Sequence, residues 1–272
     1  MTVRRYRPLL PYAAAVGVVL IVAACAPLLS PHDPYAQDLE RALLAPSAEH
    51  LLGTDRYGRD LLSRVLVGAQ TTLGSALALL LFVSCAGSLI GAVSGYRGGR
   101  LDAFFMRLAD MLLAFPQLVF ALAIAGAFGG GLFYAAAALA FLGWAKYARI
   151  ARGLTLSLCA LPYMEAARMA GGSSFAVLRH HVLPNIAGPI LVTAALDLGT
   201  LTMELAGLSF LGLGAMPPTA EWGSMMSSGR SMLQTTPWVI LAPGAAMFLT
   251  VAVFNLFGDK LRDVLAPKEV SK

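Results

Sequence analysis

From Val65 to Tyr96 the chain runs without a single charged side chain. About 20 apolar residues cross the ~30 Å hydrocarbon core of a bilayer as a helix, so this stretch predicts a membrane span. Leu9 to Leu29 is a second uncharged run. After Arg107 and Asp110, Met111 to Ala145 is uncharged and too long for one crossing. Gly129-Gly130-Gly131 lies within it and reads as a turn, which splits the run into a third and a fourth helix. Asn185 to about Leu213 is interrupted only by Asp197 and Glu204, and Pro237 to Gly258 not at all. Composition agrees: 58% of residues are apolar and 13% charged, where a soluble domain has about 25% charged. Mean hydropathy is +0.71. The expected fold is all-α and polytopic, with about six transmembrane helices.

Six crossings put both termini on one side. Of the 20 lysines and arginines, fifteen fall on that side: Arg4, Arg5 and Arg7, then Arg97, Arg100 and Arg107, then Lys146, Arg149, Arg152, Arg168 and Arg179, and finally Lys260, Arg262, Lys268 and Lys272. Arg41, Arg56, Arg59, Arg64 and Arg230 fall on the other. Positive charge marks the cytoplasmic face, so both termini and the connection before the fifth helix are expected there. The net charge of +5 is spent on this asymmetry, and nucleic acid is not an expected partner. Arg4, Arg5 and Arg7, an apolar run and Val22-Ala23-Ala24-Cys25 resemble a lipoprotein signal peptide. Cleavage would move the basic tail across the membrane, so the first helix is kept.

Three units follow: residues 1–30, the N-terminal end and first helix; 31–64, an extracytoplasmic segment; and 65–267, a five-helix core. Ser30 to Arg64 holds Pro31, Pro34, Pro46 and six carboxylates, and reads as an ordered cap or as short amphipathic pieces, not as a separate domain. At its end Thr54 or Asp55 is expected to cap the second helix.

The cytoplasmic connection, about 153–184, departs most from the apolar background. Pro162 breaks the backbone, and Met164 to Met169 suits a short helix that Gly171-Gly172 would end. Ser173 or Ser174 can cap a second short helix through about His181, and Pro184 marks the entry to the fifth span. Ala166, Ala167, Ala170 and Gly171 allow close backbone approach, while Glu165, Arg168 and Arg179 supply charge.

Within the membrane, Asp197 and Glu204 are seven residues apart and share a helix face. Buried charges in membrane helices face protein or water, so with Met203 they are candidates for a solute path, the alternative being that each is satisfied by neighbouring helices or a partner subunit. Asp110, three residues after Arg107, suits a local ion pair. No catalytic set is visible. His180-His181 are adjacent and diverge on a helix, so no metal site is expected from them. Cys25, Cys85 and Cys159 lack paired spacing. Gly129-Gly130-Gly131 has no following lysine to hold a phosphate, so any ATP must be used by another chain.

The segment Glu165-Ala166-Ala167, three residues, Gly171, then Leu183-Pro184 resembles the cytoplasmic loop of ATP-binding-cassette importer permeases. Further resemblance lies in Leu52-Gly53-Thr54-Asp55 with Gly58-Arg59-Asp60, Gly98-Gly99 with Asp102, Ser209 to Gly214, Pro217 to Gly223 and Phe254 to Asp259. Together they resemble the second permease of dipeptide, oligopeptide or nickel importers over roughly residues 50 to 267. Trp144 to Arg149 and Leu196 to Gly199 look more like nickel-type members. His181, where the family usually has an aliphatic residue, departs from the pattern. The resemblance implies a type I importer permease fold in the inner membrane, with no cofactor of its own. It implies a second permease, two ATPase subunits carrying ATP and magnesium, an extracytoplasmic binding protein and surrounding lipid. The loop residues Glu165, Ala166, Ala167, Arg168, Gly171, Gly172 and Arg179 would dock the ATPase. The alternative is an ion-coupled secondary transporter using Asp197 and Glu204, which leaves the loop without a role.

Overall fold

The structure, a computed structural model, describes residues 7–169, 171 and 173–265. Every regular element among them is helical. The helices of eight residues or more are α1 (Leu10–Ala24), α2 (Leu61–Arg97), α3 (Gly99–Leu113), α4 (Gln117–Ala127), α5 (Leu132–Cys159), α6 (Pro162–Met169), α7 (Leu183–Phe210), α8 (Trp222–Gly229) and α9 (Trp238–Leu265). Four stretches are long and apolar enough to cross a membrane: Arg7–Ala24, Leu61–Arg97, Ser174–Phe210 and Trp238–Leu265. The all-α polytopic architecture is therefore as expected.

The third span differs from its expected form. α3 begins at Gly99, well before the uncharged run, and meets α4 at a bend of 86°. Pro116 stands at the break and cannot donate to a continuous helix. The bent pair makes one candidate crossing. Gly129-Gly130-Gly131 do form the turn into α5, all three at positive φ. α5 is uncharged to Ala145 but continues through Lys146, Arg149 and Arg152 to Cys159. These three cations thus lie on a helix and not in a connection.

α2 and α5 form the central pair. Their approach is set by Gly87, Gly91 and Gly95, spaced four apart so that they line one face of α2. A Cβ at Gly87 or Gly91 would run into the carbonyl oxygens of Trp144 or Ala148, and one at Gly95 would lie 3.0 Å from that of Arg152. Small residues let membrane helices pack backbone to backbone, where dispersion replaces the hydrophobic drive available in water. α7 and α9 also use glycines, here to seat side chains: Gly258 lies under Leu196 and Gly199 under Asn255. The core between these pairs contains Leu73, Val83, Leu139, Tyr147, Leu205 and Phe254, each at most 1% exposed.

α8 is tied to α2 by one buried carboxylate. Glu221, 1% exposed, caps α8 by accepting from the Gly223 and Ser224 N–H groups at 3.0 and 2.8 Å. The Thr72 hydroxyl donates to it at 3.2 Å and accepts from the Trp222 N–H at 3.1 Å. Burial pushes the Glu221 carboxyl above its ordinary range against these donors. Glu221→Ala removes the cap and leaves buried N–H groups unpaired. A loss of about 1–2 kcal/mol is expected, read as a lower unfolding midpoint in detergent.

Residues 31–60 fold as turns and a short 3-10 piece before α2, and their details correct the expected helix start. Asp60 caps α2, accepting from the Ser63 N–H at 2.8 Å. Thr54 and Asp55 lie outside the helix because they knot the cap. Thr54 Oγ1 donates to the Arg41 carbonyl at 2.5 Å and accepts from the Leu44 N–H at 2.8 Å. Asp55 receives Arg59 Nη2 at 2.6 Å and lies 3.5 Å from Arg64 Nε. Arg64 reaches on to the carbonyls of Pro34 and Pro218.

Candidate functional site

The connection between α5 and α7 folds as two short helical pieces around Gly171. α6 starts at Pro162, and Gly171 has φ +83°, a conformation that glycine alone takes without strain. Ser173 caps the next turn, its hydroxyl accepting from the Ala176 N–H at 3.2 Å. The second piece is not separate, contrary to expectation. Ser174–Val177 passes through a π-helical turn, Leu178–Val182, directly into α7. Met164, Val177 and Val182 are at most 1% exposed and fix the base of the loop to the core. Its outer surface presents Glu165, Ala166 and Arg179 with Met169 at 87% and Phe175 at 71% exposure. Ala167 is half-buried. Gly172 and the side chain of Arg168 lie outside the described residues.

The intramembrane carboxylates face a second place. Asp197 and Glu204 both line a cavity of about 50 Å³ with Gln117, Lys146, Tyr147 and Gly143. Lys146 Nζ donates to both Asp197 oxygens at 2.7 and 2.9 Å, and the Tyr147 hydroxyl donates at 2.9 Å. Asp197 is thus a clasp between α5 and α7. Glu204 accepts from Gln117 Nε2 at 3.0 Å and forms no ion pair among the described residues. Met203 is 54% exposed and does not line this cavity, because one residue turns a helix by about 100°. The larger apolar grooves, about 690 Å³ along α2 and α7 and about 860 Å³ along α2 and α5, gather almost no polar groups to recognise a solute.

Two more acid–base pairs tie α3 to α5. Asp110 pairs with Arg149 and not with Arg107. The local spacing permitted Arg107, but α5 carries Arg149 to the same place. Asp102 receives Arg152 Nε and Nη2 at 2.5 and 2.6 Å. Lys146, Arg149 and Arg152 thus form a basic edge of α5 matched to acids on α7 and α3.

Comparison with known proteins agrees with this arrangement. Residues 87–270 match the family model described as "Binding-protein-dependent transport system inner membrane component". The chain is 43% identical to the probable D,D-dipeptide transport system permease protein DdpC of Escherichia coli K12, over 96% of this chain and 87% of that protein. It is 40% identical to the nickel transport system permease protein NikC of the same strain, over 94% and 93%. It is 39% identical to the glutathione transport system permease protein GsiD of Pectobacterium atrosepticum, over 94% and 86%. With its apolar helices and identities of this size over nearly its whole length, the chain belongs to the family of binding-protein-dependent transport system inner membrane components, as a multi-pass permease.

Proposed function

We propose that this chain is one of two permeases of an ATP-driven importer and that residues 153–184 dock an ATPase subunit. The observation that carries this reading is the loop around Gly171. Its base is buried at Met164, Val177 and Val182 while Met169 and Phe175 stand exposed beside Glu165 and Arg179. Exposed large apolar side chains on a polar element suit a protein groove better than water. The uninterrupted helix Ser174–Phe210 then links that surface mechanically to Asp197 and Glu204. ATP and magnesium belong to the two ATPase subunits, and an extracytoplasmic binding protein delivers the solute. α5 and the bent α3–α4 pair each supply one crossing, giving six, with both termini and the docking loop in the cytoplasm. Together with a second permease the chain forms half of the path. The named cargoes of its relatives, D,D-dipeptides, nickel and glutathione, support a short peptide or a nickel chelate as the solute.

Gly171→Val tests the docking role. A Cβ at Gly171 meets no atom within 4 Å, so the change acts only through the backbone. The left-handed conformation costs a β-branched residue about 1–2 kcal/mol, which redirects the loop and leaves the core alone. Normal insertion and detergent stability are expected, with ATPase retention in a pull-down reduced about tenfold, as ~1.4 kcal/mol implies. Unchanged retention and unchanged transport-stimulated ATP hydrolysis would count against the docking role.

A further inference from the structure

We propose that the cap carries a site for a divalent transition metal, held by His32, His50 and Asp60. The three residues are distant in sequence, yet each offers a ligand atom, and these atoms lie within 4.8 Å of one another. Asp60 divides its carboxylate between two tasks. Oδ2 accepts from the Ser63 N–H and hydroxyl at 2.8 and 2.7 Å, which caps α2. Oδ1 faces the two imidazoles, 2.9 Å from His50 Nδ1 and 3.8 Å from His32 Nδ1.

The burial of Asp60 marks this cluster as lacking a permanent cation. The Asp60 side chain is 1% exposed, and among the described residues its ion-pair partners are only these imidazoles, which are cationic only when protonated. His50 is 5% exposed and turns its Nδ1 to Asp60 Oδ1, so a buried imidazole nitrogen stands beside the buried carboxylate oxygen. A divalent cation would neutralise the carboxylate and take up imidazole lone pairs.

The geometry is close to what a metal needs. Metal–nitrogen and metal–oxygen bonds of about 2.0–2.2 Å bring two ligands of one ion to within roughly 3–4 Å. The Oδ1 distances already fit. Closing the remaining separation falls to His32, whose side chain is 40% exposed and free to turn. Its backbone stays anchored, because the His32 N–H donates to Ser63 Oγ at 3.1 Å. Two imidazoles with one carboxylate select zinc, nickel or cobalt over calcium or magnesium, which prefer all-oxygen sites. Bound there, the ion would join residue 32, residue 50 and the first turn of α2, so its role is to lock the cap onto the membrane helices. The site stands independently of the docking role of the loop.

The test uses the full chain, purified in detergent without a polyhistidine tag, stripped with EDTA and titrated with zinc chloride. One zinc per chain by elemental analysis, with a raised unfolding midpoint, is expected. His32→Ala removes a partly exposed ligand and keeps the backbone bond to Ser63, so it should fold. It should weaken zinc binding tenfold or more and abolish the rise in midpoint. His180→Ala/His181→Ala should bind zinc as the parent does. Substoichiometric zinc in the parent, undiminished binding in His32→Ala, or loss of binding in the His180/His181 variant would each overturn the site.

Discussion

Gly91→Leu is expected to abolish stable assembly. The new Cβ would meet the backbone of Ala148 on α5, within 2.9 Å of its Cα and closer still to its carbonyl. Overpacking usually costs about 1–3 kcal/mol because side chains yield. Here backbone meets backbone, and α5 cannot withdraw without parting from Gly87 and Gly95 as well. Withdrawal would also carry Lys146 and Tyr147 away from Asp197 and break the clasp to α7. The measurement is monodispersity and unfolding midpoint of the detergent-extracted chain. Gly74→Leu is the matched control, since a Cβ at Gly74 meets nothing within 4 Å, and it should behave as the parent. A monodisperse Gly91→Leu protein with the parent's midpoint would mean that α2 and α5 do not pack at this separation.

Much of the architecture was legible in the sequence because hydrocarbon imposes a local rule. A long uncharged run in hydrocarbon must be a helix, so α1, α2 and α9 could be read from the sequence, and α7 despite its two carboxylates, though their ends shifted by several residues. Backbone punctuation is equally local: Pro162, Gly171 and the three glycines at 129–131 act where they stand. What could not be read was pairing. Arg107 was a reasonable partner for Asp110 by spacing, but Arg149 arrives from another helix, 39 residues away. Asp197 looked like an isolated charge until α5 brought Lys146 to it. Asp60 replaced Thr54 and Asp55 as the cap of α2 because those two are engaged with Arg41, Arg59 and Arg64. The bend at Pro116 was signalled by the proline itself, though the uncharged run around it concealed the break. The Gly87, Gly91 and Gly95 series was also visible, and its four-residue spacing is the signal that would have located the α2–α5 contact.

Asp197 and Glu204 should separate cleanly when neutralised, although they lie on one wall. Asp197 is held by Lys146 and Tyr147, so its charge is already used in joining α5 to α7. Asp197→Asn should lower the unfolding midpoint and the yield of assembled complex. Lys146→Met should do the same, and the double variant should lose less than the two losses added, because contacting residues couple by about 0.5–3 kcal/mol. Among the described residues Glu204 has the amide of Gln117 as its hydrogen-bond partner and faces the same cavity. The proposal under test is that this carboxylate, which forms no ion pair among the described residues, meets a cationic solute. Glu204→Gln preserves the shape and the contact with Gln117, so assembly and midpoint should be unchanged. Uptake of a metal or amino-bearing solute, normalised to assembled complex, should fall tenfold or more. Unchanged uptake in Glu204→Gln would make this carboxylate a packing group. A loss confined to Asp197→Asn, with normal assembly, would return the path to Asp197 and make Lys146 a gate that the solute displaces.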